Sequence, residues 1–496
     1  MSNILEQLYK PSLVLLTDFY QLTMAYGYWQ SGIHEREAVF YHSFRRAPFQ
    51  GGYAVAAGLG TLIDYLLLLK FSQEDLAYLS RLESGNGRLL FSQDFLEYLS
   101  LLKFSCQIDA VEEGCVVFPQ EPLVRVQGPL LQCQLLESIL LNIINFQTLI
   151  ATSAARLVQA TRGDPVFEFG LRRAQGFDGS LMASRAAFVG GCRATSNMLA
   201  AKLYHIPLRG THSHSWVLSF ASELEAFRVY AQTFPEQCVL LVDTYDSVQG
   251  VKNAIQVANE LTPQGFKLVG IRLDSGDLAY LSKEARKLLD EAGYCDTLII
   301  GSNDLNPLVI SSLKEQKAEI NCWGVGTHLV TGYEQPALEG VYKLGAIKTE
   351  QGVWDYKVKL SEQTIKISTP GLLSVRRFYA ANDQAIADII YDQSQQWSSS
   401  CTLIDPLDAT KRYTLPVNTS YRELLQPIFR NGQLVYKKPS LLESQRNTTS
   451  SLNQFNETIK RLLNPQLYPV GLEENLYHLK LQLILRAKQG IVNPTD

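Results

Sequence analysis

No two of the eight cysteines stand at Cys-x-x-Cys spacing. Cys106, Cys115, Cys133, Cys192, Cys238, Cys295, Cys322 and Cys401 occur singly, mostly inside apolar runs. That distribution suits small core residues better than a zinc site or a disulfide framework. Charge of one sign is also scarce, with a formal net charge of -4 over 496 residues. A general nucleic-acid or membrane-surface binder needs a basic face, so both are excluded as the main partner. No segment reaches about 18 uninterrupted apolar residues, so no membrane span is expected. The longest candidate, 130–150, is broken by Gln132, Gln134, Glu137, Asn142 and Asn145. The opening MSNILEQLYKP lacks a basic start followed by an apolar stretch, so no secretory leader is expected and the location is expected to be cytoplasmic.

What is present is ordinary globular material, 46% apolar and 19% charged, long enough for two or three domains. Thr17 to Trp29 reads as a helix opening on Thr-Asp. Ala38 to Phe44 reads as a strand, and Val116 to Val126, with two prolines, as an edge strand or loop. A helical stretch follows from Gln132 to Ala160. Short apolar runs come next, at Pro165 to Phe169, His205 to Leu208, Cys238 to Val242, Lys267 to Leu273, Thr297 to Ile300 and Asn321 to Val325. Each gives way to polar and glycine residues and then to a helical pattern, the mark of parallel βα units. From His214 to Asp243, Asp274, Ser302 and Gly326 the steps are 29, 31, 28 and 24 residues, one βα unit each. The expected fold is α/β, a TIM-like α/β barrel, irregular or complete, with a second α+β domain built from the N- and C-terminal parts of the chain. An open doubly wound sheet is the rival. The expected divisions are 1–130 and 344–438 for the split domain, 131–343 for the barrel, and 439–496 for a helical tail. In that tail, helices are expected at Asn453 to Leu463 and Glu474 to Lys488, and 393–400 reads as a polar loop.

Chemistry gathers at the ends of the apolar runs. Pro207 to Trp216 (PLRGTHSHSW) holds two of the chain's seven histidines, with Thr211, Ser213 and Ser215 beside them. Such a histidine serves as base, nucleophile or metal ligand, or as a hydrogen-bonded loop residue. Asp243-Thr-Tyr-Asp246 and Arg272-Leu-Asp-Ser-Gly-Asp277 each put paired carboxylates after a strand. Helix capping accounts for one acid in each pair and leaves Arg272 and the second acid over. Gly301-Ser-Asn-Asp304 and Gly324-Val-Gly-Thr327 are turns of the kind that expose backbone N–H groups to phosphate. Glu168 to Gly176 carries adjacent Arg172 and Arg173, suited to carboxylate or phosphate. The residues alone thus describe an enzyme for an anionic, phosphorylated substrate and do not name the reaction.

Six segments in order, LLTDFYQLTMAYGYW (15–29), FRRAPFQGGYAVAAGL (44–59), FEFGLRRAQGFDG (167–179), RGTHSHSWV (209–217), GIRLDSGDL (270–278) and WGVGTHLVTG (323–332), resemble nicotinate phosphoribosyltransferase. The resemblance runs from about residue 12 to 440, and the last 50 residues match no pattern. It implies synthesis of nicotinate mononucleotide and pyrophosphate from nicotinate and 5-phosphoribosyl 1-pyrophosphate in NAD biosynthesis. It further implies coupled ATP hydrolysis through a phosphohistidine, with Mg²⁺, in a homodimer with shared active sites. The resemblance places the phosphohistidine at His214, beside Thr211 and Ser215. His212 stands where the family commonly has a small or apolar residue. By the same resemblance Asp243 orients His214, and Tyr20 stacks on the pyridine ring. Arg172 approaches the base or ribose phosphate, and Arg272 and Asp274 contact substrate and ribose. Gly301, Ser302, Gly326 and Thr327 form the 5′-phosphate cradle. Nicotinamide phosphoribosyltransferase is the close alternative, because Glu168 stands near the place where that relative reads an amide with an acid.

Overall fold

The structure is a computed structural model that describes residues 12–397 and 401–490. The chain divides into two compact units. One comprises Met1–Thr148, Ala337–Ser440 and Thr449–Asp496, the other Leu149–Pro336 and Leu441–Thr448. The division falls inside the helix Glu137–Ala160 and not at residue 131. The first half of that helix is fixed in the first unit by close contact. A Cβ on Gly58 would sit 2.9 Å from Ile143 O, and Thr148 Oγ1 lies 3.2 Å from Ala57 N and O.

In the first unit, strands from both ends of the chain share one seven-stranded antiparallel sheet. Its order is Trp354–Tyr356, Gly340–Lys348, Glu37–Phe44, Val124–Pro129, Gln107–Val111, Leu425–Arg430, Gln433–Leu434. Val124–Pro129 is therefore a central strand and not the edge that its prolines suggested. Pro119 and Pro122 lie in the connection before it, where no ladder N–H is needed. A six-stranded sheet in the same unit has the order Arg412–Leu415, Cys401–Ile404, Val470–Glu473, Ala385–Asp392, Leu373–Tyr379, Tyr421–Glu423. The tail thus contributes a strand, Val470–Glu473, as well as helices. Those are Leu441–Asn453, Glu457–Lys460 and Glu474–Lys488, so only the single turn Glu457–Lys460 forms where a helix from Asn453 to Leu463 was expected, and a longer helix precedes it. The polar run after Asp392 includes Trp397, whose ring packs against Tyr391, while 398–400 lie outside the described residues.

Glu137–Ala160 has the length and hydropathy of a spanning helix, yet 72% of its apolar window is buried inside the protein. The polar residues that break its apolar run and the one before it serve the core of the first unit. Asn145 Oδ1 accepts from His42 Nε2, Gln147 donates to Thr61, and Gln134 donates to Gln21. Buried polar groups must be paired in this way, so this is a core helix.

The second unit is built on a six-stranded parallel sheet. Its order is Ala194–Thr195, Val166–Glu168, Cys322–Val325, Leu298–Gly301, Gly270–Leu273, Val239–Leu241. Helices alternate with these strands, including Phe177–Val189, Ser247–Leu261, Leu278–Glu291 and Pro307–Glu315. Followed around the sheet, chain order is kept, and the last strand pairs with the first. A doubly wound sheet would reverse at a switch point, and none occurs. The backbone ladder stays open between Ala194–Thr195 and Val239–Leu241, so the expected closed barrel is not formed by strand pairing. The run His205 to Leu208 makes only a one-residue parallel bridge, Leu208 with Thr195. The strand Ala194–Thr195 had no signal in the sequence, being two residues long.

Candidate active site

All six parallel strands run the same way, so their C-terminal ends lie on one rim, and the polar clusters follow those ends. The doubled acids divide their labour. Asp246 caps Ser247–Leu261 by accepting from Gln249 N at 2.7 Å. Asp277 caps Leu278–Glu291 by accepting from Ala279 N and Tyr280 N, each at 3.0 Å. Asp243 and Asp274, the first of each pair, are left for the rim.

His214 opens the short helix His214–Leu218, with Ser213 as its cap residue. Its Nδ1 lies 3.2 Å from Thr244 Oγ1, and its Nε2 is 3.9 Å from Asp274 Oδ2. The side chain remains 43% exposed, so a substrate can reach it. Asp243 does not hydrogen-bond His214. Its Oδ2 accepts from Asp274 N at 2.9 Å and from Ser275 Oγ at 2.6 Å, while its Oδ1 is buried without a partner. The orienting contact is therefore made by Thr244, one residue further on, and Asp243 fixes the loop that bears Asp274.

Arg272 ties three strand ends together. Nε donates to Ser302 Oγ at 2.8 Å, Nη1 to Thr211 Oγ1 at 3.1 Å, and Nη2 to Asp274 Oδ1 at 2.6 Å. Ser302 Oγ in turn lies 2.5 Å from Asp274 Oδ1. Thr211, His214, Asp243, Arg272, Asp274 and Ser302 thus form one connected cluster, in which a charged guanidinium gives strong, directional hydrogen bonds. Ser215 stands beside it and shares a 2.7 Å hydrogen bond with Ser213.

The remaining candidates are set differently. Gly301 ends its strand against Ile320, whose side chain a Cβ there would meet at 2.9 Å. Asn303 and Asp304 then turn the chain with φ of 82° and 40°, a conformation that short polar side chains tolerate best. Gly326 precedes the single turn Thr327–Val330, and no hydrogen bond links either Gly326 or Thr327 to the Arg272 cluster. Arg172 lies exposed in the turn Leu171–Arg173. Tyr20 belongs to the first unit, on the helix Phe19–Gln30, and is 48% exposed.

Two residues without a strong signal of their own complete the rim. Thr244 was hidden inside the acidic cluster. Phe169 is half-buried, and Arg272 lies over its ring at 5.7 Å. Gly324 is needed beside it, since a Cβ there would come within 2.7 Å of the Phe169 ring. Glu168, by contrast, is 1% exposed and fully used. Its carboxylate accepts from Gly170 N, from Ser184 Oγ at 2.8 Å and from Thr195 Oγ1 at 2.5 Å. It braces two neighbouring strands and a helix.

Comparison with known proteins agrees with this arrangement. The nicotinate phosphoribosyltransferase (NAPRTase) N-terminal domain matches residues 15–145, the nicotinate phosphoribosyltransferase family model 166–366, and the C-terminal domain 374–480. The match thus extends into the last 50 residues, which the sequence reading left without a relative. A nicotinate phosphoribosyltransferase of Bacillus subtilis is 44% identical over 97% of both chains. One of Caenorhabditis elegans is 38% identical over 93% of this chain and 92% of its own length. Among solved structures, human nicotinic acid phosphoribosyltransferase superimposes with a TM-score of 0.81 at 30% identity, covering 94% of this chain and 99% of the other. On the strength of these matches along its whole length, the chain belongs to the nicotinate phosphoribosyltransferase family.

Proposed function

We propose that this chain makes nicotinate mononucleotide and pyrophosphate from nicotinate and 5-phosphoribosyl 1-pyrophosphate, in NAD biosynthesis, and couples the reaction to ATP hydrolysis through phosphorylation of His214. The observation that carries the reading is the setting of His214. Thr244 engages Nδ1, and Nε2 is left beside Asp274 on an accessible edge of the ring. With the proton on Nδ1, the Nε2 lone pair is free to attack the γ-phosphorus of ATP as ADP departs. The sheet order supports an irregular barrel, closed on one side by side chains in place of a strand pair, with the substrates on its C-terminal rim.

Within that reading, Arg272 and Asp274 face the phosphosugar, and the turns Gly301-Ser302 and Gly326-Thr327 offer N–H groups to its 5′-phosphate. Phe169 supplies one flat face for the pyridine ring, and Arg172 supplies a cation for its carboxylate. Asp243 and Asp274 suit a magnesium ion bound along with the diphosphate. Asp243 Oδ1 is a buried oxygen without a hydrogen-bond partner, and magnesium needs only one or two carboxylates beside phosphate oxygens and water. Exposed Met198, Leu199 and Leu203 on one helix, and Leu16, Phe19 and Tyr20 near the N-terminus, support a homodimer with shared sites. A cytoplasmic location completes the reading. Nicotinamide is disfavoured as substrate because Glu168 is 1% exposed and its carboxylate is already bonded to Gly170, Ser184 and Thr195.

The test is a steady-state assay with nicotinate or nicotinamide, the phosphosugar donor and magnesium, with and without ATP. Faster use of nicotinate, ATP stimulation and acid-labile γ-phosphate on the wild type but not on His214→Ala are expected. Preference for nicotinamide would overturn the substrate. Full ATP coupling in His214→Ala would overturn the phosphohistidine. Light scattering of the eluting protein tests the dimer.

A further inference from the structure

The open seam of the parallel sheet is bridged by one imidazole. In the edge strand Val239–Leu241, Leu240 and Val242 turn their amides toward the neighbouring strand, and Val242 N donates to Arg272 O at 3.2 Å. Leu241, between them, turns its N–H the other way, toward the edge where no strand pairs, and it is 1% exposed. Its partner is His212 Nε2 at 3.2 Å. Across the seam, Pro207 O accepts from Thr195 N and Arg209 N donates to Thr195 O, each at 3.0 Å. The segment 207–212 therefore starts on one edge of the sheet and is fastened to the other.

Both nitrogens of His212 are engaged. Nε2 accepts from Leu241, and Nδ1 donates to Ser213 O at 3.3 Å. The ring packs edge-on to Tyr230 at 4.9 Å and tilted to Phe227 at 5.8 Å. Burial holds its pKa down at about 4, opposed by the bond to Ser213 O and aided by the Arg272 charge. A protonated ring would point an N–H at the Leu241 N–H, so only the neutral form makes the bond. The bond joins two points close to the reactive group. Leu241 is three residues before Thr244, and His212 is two residues before His214, the pair whose side chains meet at 3.2 Å.

We propose that His212 is a positioning residue. Neutral and buried, it takes the place of a strand carbonyl at the seam and so sets His214 against Thr244 and Asp274. The proposal rests on the reaction assigned above for its kinetic readout only. An apolar residue at this position would fill the space but leave the Leu241 amide without an acceptor. Glutamine places a side-chain oxygen where Nε2 stands.

His212→Gln, His212→Leu and His212→Ala test this in the full-length enzyme. The Leu variant is expected to lower kcat by about 10- to 100-fold, the penalty of a displaced catalytic group. KM for nicotinate should move less than about threefold, and Gln should restore kcat to within about threefold of wild type. Hydrogen exchange in the 239–244 peptide should speed up in Leu and Ala and stay slow in Gln. In wild type the His212 ring should keep its proton on Nδ1 down to about pH 5.5 by nitrogen NMR. Folding is checked by near-ultraviolet circular dichroism, and the Gln and Leu pair remains informative if Ala fails to fold. Equal activity in Gln and Leu, or activity that follows only the thermal midpoint, would overturn the proposal. If the wild type does not use nicotinate, the assigned reaction falls alone. Exchange at 239–244 and the His214 ring shifts then decide the positioning role.

Discussion

Arg272 and Asp243 act through structure as much as through charge. Three of the five Arg272 donors go to Thr211, Asp274 and Ser302, so the arginine that reads from sequence as an anion receptor is first a clamp on three strand ends. Asp243 likewise holds the Asp274 loop and leaves His214 to Thr244. The sequence could single out these residues because each follows a strand at βα spacing. It could not assign the bonds, because a difference of one residue along a turn changes which side chain meets the histidine. Another buried group shows what a charge costs away from the rim. Glu121 is 1% exposed in the first unit, close to Asp388, which pairs with Arg377 and accepts from Tyr468 OH. Burial and the Asp388 charge push the Glu121 carboxyl well above its usual range, while Arg377 opposes them. The folded protein thus keeps a proton that the unfolded chain gives up, so this group lowers stability as pH rises above about 4.3. Glu121→Gln should raise the thermal midpoint at pH 8, and the gain should shrink at pH 5. A variant less stable than wild type by the same amount at both values would show that the carboxyl has another role.

At the level of elements, the helices and most strands of the second unit were legible because apolar runs of four to seven residues alternate with helical patterns. Three of the helix starts carried their own mark, Asp246, Asp277 and Asn306-Pro307, and Phe177–Val189 did not. The two-residue strand Ala194–Thr195 and the tail strand Val470–Glu473 were not legible, since both are defined by their partners and not by a local pattern. Close packing of helix on strand is also invisible in a single sequence. Gly250 lies within Ser247–Leu261, where alanine would favour the helix by about 1 kcal/mol. A Cβ there would stand 1.9 Å from Val242 O, a backbone atom that cannot swing away. The clash decides the sign, and Gly250→Ala is expected to destabilise by about 1–3 kcal/mol. Urea unfolding measures it, and an unchanged or higher midpoint would show that the helix can shift outward at little cost. Because Asp243 and Thr244 immediately follow Val242, the same variant should lose activity at temperatures where it is still folded.

At the scale of the whole molecule, the chain order around the parallel sheet and the sharing of sheets between the two ends of the chain could be expected from alternating patterns. The open seam could not, since it is spanned by a single side-chain bond, from Leu241 N to His212 Nε2, that no periodic pattern marks. That histidine has a counterpart in the other unit. His42 is wholly buried, and its Nε2 donates to Asn145 Oδ1 at 2.8 Å while Nδ1 has no partner. Burial lowers its pKa to about 4, opposed by the Asn145 hydrogen bond. Both rings are neutral when folded and take a proton near pH 6.5 when unfolded. Between about pH 6.5 and 4 the unfolded state binds more protons, so stability is complete above that window and is lost as pH falls through it. With pKa values of about 4 in the folded protein against about 6.5 in the unfolded chain, each ring costs up to roughly 3 kcal/mol at the acid end. Thermal unfolding of wild type, His42→Gln and His212→Gln at pH 7.5 and 5 measures this directly. Each variant should lose part of the acid sensitivity, and His42→Gln should do so without changing the pH profile of kcat. Acid sensitivity identical in all three proteins would assign it to the carboxylates and leave both histidines without a part in it.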